Sequence, residues 1–137
     1  CFMTFFWRGC SNVESRIIRN RAAPILEDWT KRARADRLQS EIAGLQTKPQ
    51  KRIDLANEAE SWGAMYVLEG SRLGVKALSQ ESALADRSAF FREAQDCHFC
   101  PTFITRLRLA DSRLNDRDGM ASGARKAFLA FVDEQAK

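Results

Sequence analysis

Histidine occurs once in these 137 residues, at His98, and cysteine four times, at positions 1, 10, 97 and 100. Cysteine at that density is too sparse for a secreted disulfide scaffold, so a reducing cytoplasm is the expected setting. Cys97-His98-Phe99-Cys100 has the spacing of a redox or zinc motif, but a second Cys-x-x-Cys is missing. So is the Cys-x-x-Cys-His triplet of covalent heme attachment, and the segment is read as a loop with incidental thiols and no metal role. Long apolar runs are absent as well. Nothing approaches the roughly 18 uninterrupted apolar residues that span a bilayer, and Cys1-Phe2-Met3-Thr4-Phe5-Phe6-Trp7 is short, lacks a basic leader and is read as a buried segment. No membrane partner is expected. The chain opens on Cys1 and not on methionine, which leads to the expectation that residues upstream are missing.

Charge of one sign is also in short supply. The net charge is +4, and Arg16, Arg19, Arg21, Lys31, Arg32, Arg34 and Arg37 are interleaved with Glu14, Glu27, Asp28 and Asp36. Such mixing describes solvated helix faces and not a nucleic-acid stripe. What remains is an ordinary globular composition, long enough for one domain over 1–137 with a core of its own.

Period-two alternation of strand length is hard to find, whereas apolar residues recur at three- and four-residue intervals along most of the chain. The expected class is all-α. The three prolines, Pro24, Pro49 and Pro101, fall at breaks in this periodicity and divide helical segments from one another. Helices are expected over roughly 2–19, over 25–45 as two helices or one bent one, over 54–78 with Asp54 as N-cap, and near 80–95, 102–109 and 120–135.

The segment 56–78 carries the most information. At about 100° per residue, Gly63, Gly70 and Gly74 fall within roughly 20° of a common direction, with Ala56, Ala59 and Ala77 beside them. Each glycine inside a helix costs roughly 1 kcal/mol relative to alanine, so something must gain from the bare face. Two explanations qualify: another helix packs backbone to backbone, or a flat ligand lies against the glycines. Spacing alone does not separate them.

The residues of this segment resemble a known family. Trp62-Gly63-Ala64-Met65-Tyr66-Val67-Leu68-Glu69-Gly70-Ser71-Arg72-Leu73-Gly74 is similar to the distal helix of bacterial biliverdin-producing heme oxygenases, with Tyr-Val-x-Glu-Gly-Ser-x-Leu-Gly as its specific core. Weaker similarity extends over Pro24-Ile25-Leu26-Glu27-Asp28-Trp29, Ile42-Ala43-Gly44-Leu45, Pro101-Thr102-Phe103-Ile104 and the closing Ala127-Phe128-Leu129 segment. The resemblance implies a heme oxygenase-like helical bundle that clamps heme, both substrate and cofactor, between a proximal helix and a long glycine-kinked distal helix. It implies oxidative opening of heme to biliverdin, carbon monoxide and iron, with electrons from a separate reductase or ferredoxin. Gly70 and Gly74 would face the heme on its oxygen-binding side and shape which carbon is attacked. Ser71 would lie near the ordered water that delivers protons, and Tyr66 would hydrogen-bond a heme propionate. Read without the resemblance, Tyr66 is a half-buried aromatic with its hydroxyl at the surface. Glu69 is expected to pair with a neighbouring cation, and Arg72, roughly opposite the glycines, to be solvated.

The sequence departs from the family at one point. The family's proximal histidine precedes the region matching 24–45, and residues 1–23 contain none. His98 lies beyond the distal segment, out of the family's order, while a thiolate from Cys1 or Cys10 would alter the iron's electronics. Either the proximal helix is missing from this chain, or the chain is a relative that kept the fold as a non-catalytic binding or interaction domain.

Overall fold

A computed structural model of the chain describes residues 53–81 and 99–135. Those residues form three helices and no strand: α1 (Glu58–Glu81), α2 (Phe99–Leu114) and α3 (Arg117–Gln135). The helices expected over 2–19 and 25–45, the loop at 47–52, most of the segment near 80–95, and Cys97 and His98 lie outside the described residues.

Helix α1 begins later than the apolar pattern suggests. The side chain that caps it is Asn57, whose Oδ1 accepts the Glu60 backbone N–H at 3.0 Å, and not Asp54. The choice follows from what comes next. Leu55 is buried in the core and the chain at 53–56 is not helical, so the first short polar side chain after Leu55 takes the cap. Glu60, three residues on, folds back to accept the Ala56 N–H at 2.7 Å, satisfying a second free donor at the helix start. From there α1 runs as one helical segment through Gly70 and Gly74 to Glu81.

Helices α2 and α3 both extend beyond their expected limits. Pro101 sits in the first turn of α2 and not at a break before it, a position where the N–H it lacks has no intrahelical acceptor. Cys100 is therefore helical and not in a loop. At the other end, Asn115 adopts φ 48°, a left-handed conformation that asparagine tolerates, and its N–H bonds the Asp111 carbonyl at 2.9 Å. Asp116 then caps α3 through the Gly119 N–H at 2.9 Å, so two residues suffice to turn the chain from one helix into the next.

The core of the described residues comprises Leu55, Trp62, Ala64, Met65, Leu68, Phe103, Ala110, Ala127 and Ala130. Trp62 and Phe103 meet with ring centroids 5.9 Å apart and planes tilted by 40°, and the indole N–H donates to Glu58 at 3.2 Å. Alanines supply four of these nine positions, so the helices approach closely here instead of interleaving large side chains. No described helix is long and apolar enough to cross a membrane.

Candidate functional site

The small-residue stripe of α1 divides into two parts with different surroundings. At Gly63 the backbone of α3 fills the space of the missing side chain: an added Cβ would stand 1.8 Å from the Met120 carbonyl oxygen and 2.7 Å from the Ala124 nitrogen. The contact is reciprocal, because a Cβ on Gly123 would stand 1.9 Å from the Glu60 carbonyl oxygen. Two helices that touch through glycines in this way bring Cα–H groups against opposing carbonyls, a weak but recurrent attraction. For this glycine, packing is the answer.

The same crossing is fastened by a polar clamp. Glu60 accepts from Ser122 Oγ at 2.8 Å and from Lys126 Nζ at 2.7 Å, both on α3, in addition to the Ala56 N–H. Burial of this carboxylate works to raise its pKa, but the bonds from Lys126, Ala56 and Ser122 together outweigh it and hold the group below its ordinary 4.5. At the periphery Glu58 is likewise held below 4.5, chiefly by its hydrogen bonds with Arg113 of α2.

Gly70 and Gly74 are different. Among the described residues no atom stands within 4 Å of a Cβ built on either one. Between Tyr66 and Ala77, the positions described as exposed are Tyr66, Gly70, Leu73, Gly74 and Ala77, which share one face of the helix and are all uncharged. Tyr66 is 52% exposed and Leu73 55%, whereas Leu68, Glu69 and Arg72 on the remaining circumference are buried. Between Tyr66 and Ala77 the helix thus presents an uncharged strip to solvent that includes Gly70 and Gly74. The structure brings Tyr66, Gly70 and Gly74 together on that strip. Ser71 lies beside it, half-buried, with its hydroxyl hydrogen donated to the Leu68 carbonyl at 2.6 Å.

One expectation about this helix is overturned. Arg72 is not solvated: it is 8% exposed, and its Nε donates to Glu69 Oε1 at 3.2 Å inside the protein. Opposite the glycines means toward solvent only for a helix on the surface, and α1 has its open side where the glycines are. Glu69 pairs with a neighbouring arginine as expected.

Sequence reasoning missed a cleft that begins where α3 leaves the stripe. Its volume is about 360 Å³, and Gly63, Tyr66, Leu107, Arg108, Asp111, Met120, Ala121 and Ala124 line it. It also missed the second half of the glycine contact, on α3, although Gly119 and Gly123 lie four residues apart and that spacing was open to view. Among the described residues, no group of three or more histidine, cysteine or acidic side chains is placed to hold a metal ion. No family model, curated protein or solved structure matches this chain.

Proposed function

We propose that the chain is a heme oxygenase-type domain that holds heme against the open strip of α1. The observation that carries this reading is the bare, uncharged face at Gly70 and Gly74, where helix backbone is accessible without an intervening side chain. A flat apolar macrocycle suits such a face, since glycines that pack against nothing otherwise only destabilise the helix. Of the two explanations for the stripe, packing accounts for Gly63 and leaves Gly70 and Gly74 to a ligand.

In this reading Gly70 and Gly74 form the floor of the site, and a kink of α1 at these glycines adjusts its distance from the ring. Tyr66, one turn earlier on the same strip, offers its phenol to a propionate. The Ser71 hydroxyl must rotate away from the Leu68 carbonyl before it can pass a proton. Bound heme supplies the iron that activates dioxygen, and is itself the molecule oxidised to biliverdin with release of carbon monoxide and iron. The electrons come from a separate reductase or ferredoxin. A second reading, a binding domain of the same fold without the oxidation chemistry, is favoured by the single histidine of the chain, His98, which stands outside the order that an axial ligand would require.

Heme titration followed by visible absorption tests both. Saturable binding with a Soret shift is expected, and its absence sinks the proposal for this chain. Reductant under air then separates the two readings by the appearance or absence of a biliverdin spectrum. Gly70→Leu is expected to abolish heme binding while leaving the thermal midpoint close to that of the parent protein, and Tyr66→Phe to weaken binding by about tenfold, the order of one charge-assisted hydrogen bond.

A further inference from the structure

The cleft between Tyr66 and the α2–α3 pair has a chemistry distinct from that of the open strip, since neither Gly70 nor Gly74 lines it. Its walls are mainly apolar, from Leu107 on α2 and from Met120, Ala121 and Ala124 on α3, with the backbone of Gly63 at one side. A volume of about 360 Å³ lies at the lower end of the range typical of small-molecule sites, which suits a ligand of one or two rings. The close approach at Gly63 and Gly123 holds α1 against α3 here, so the cleft is a preformed feature of a tight contact.

Charge at the cleft is one-sided. Two ionisable groups of opposite sign line it, Arg108 and Asp111. Asp111 is already neutralised, because Arg117 from the start of α3 grips it with both Nε and Nη2, at 3.1 and 2.9 Å. Arg108 is exposed, and among the described residues its guanidinium has no hydrogen-bond or ion-pair partner. The uncompensated charge at an apolar cleft is therefore positive and belongs to a group whose planar fork matches a carboxylate.

We propose that this cleft binds a small planar aromatic carboxylate, its ring between Leu107, Met120 and Ala121 and its carboxylate on Arg108. The cleft adjoins the strip proposed for heme and shares Tyr66 with it, so it is probed with heme absent.

Calorimetric titration of the full chain, without heme and at low ionic strength, uses 2-naphthoate as probe and 2-naphthamide as its uncharged counterpart. Naphthoate is expected to saturate a single site, and naphthamide to bind about tenfold more weakly. Arg108→Gln should bring naphthoate down to the level of naphthamide without altering naphthamide binding. Ala121→Leu, at an exposed position that fills the cleft, should remove both, with an unchanged circular dichroism melt as its control. Asp111→Asn should strengthen naphthoate binding, because it releases the Arg117 charge that Asp111 now neutralises beside the cleft. No saturable binding of naphthoate, or equal binding by the Arg108→Gln and parent proteins, overturns the proposal. So does full retention of binding in Ala121→Leu.

Discussion

Replacing the stripe glycines of α1 with alanine one at a time sets two opposite expectations on a single helix. At Gly70 and Gly74 an added methyl meets nothing within 4 Å among the described residues. The substitution then acts only on helix propensity and on the entropy of the unfolded chain, and each should stabilise by about 0.5–1 kcal/mol. For a domain of this size that corresponds to a rise of roughly 2–4 °C in thermal midpoint per kcal/mol. At Gly63 the same methyl would lie 1.8 Å from the Met120 carbonyl oxygen, where ordinary contact begins at 3.4 Å. Neither partner can rotate away, because both are backbone. The helices must separate, straining the Glu60 clamp, and a loss of about 1–3 kcal/mol or more is expected. Gly123→Ala should behave like Gly63→Ala, since its methyl would meet the Glu60 carbonyl at 1.9 Å. Urea melts of the four variants by circular dichroism give both signs in one series. If Gly70→Ala and Gly74→Ala destabilise as Gly63→Ala does, the strip is packed against protein, and the case for a ligand on it fails.

The Glu60 clamp and the aromatic core make further expectations. Glu60→Leu should cost about 1–3 kcal/mol, because it strips the partners from Lys126 and Ser122 and from the Ala56 N–H, and pairing it with Lys126→Met should recover part of that loss in a double-mutant cycle. The clamp also sets a pH dependence. The folded-state pKa values of Glu60 and Glu58 lie below the ordinary 4.5, so the stability they contribute is fully present above pH 4.5 and is lost as pH falls through the lowered values. Thermal midpoints recorded from pH 7 down to 3 should drop below pH 4.5 in the parent and less steeply in Glu60→Gln. Phe103→Ala, which empties a position 1% exposed against Trp62, should cost about 3–5 kcal/mol in the same urea assay.

Much of α1 was legible before any coordinates. The period that places Gly63, Gly70 and Gly74 on one side is a property of helical geometry, and the helix exists because apolar residues recur on that same period. Its start was misread, because choosing between Asp54 and Asn57 depends on Leu55 reaching a core that residues distant in sequence complete. The turn at Asn115–Asp116 was within reach, as both residue types favour left-handed or capping positions, yet the apolar pattern on either side hid how short the connection is.

Sequence by itself determined that the chain builds helices here and that Gly63, Gly70 and Gly74 share one face of α1. Local backbone preference and a fixed rotation per residue are enough for that. Tertiary structure alone decided which glycines are filled. The side-chain space of Gly63 is occupied by the backbone of α3 from about sixty residues away, while that of Gly70 and Gly74 is open among the described residues. The same long-range packing buried Arg72 with Glu69 and left Arg108 alone at an apolar cleft. A missing side chain is a local fact, but what takes its place depends on where the rest of the chain lies.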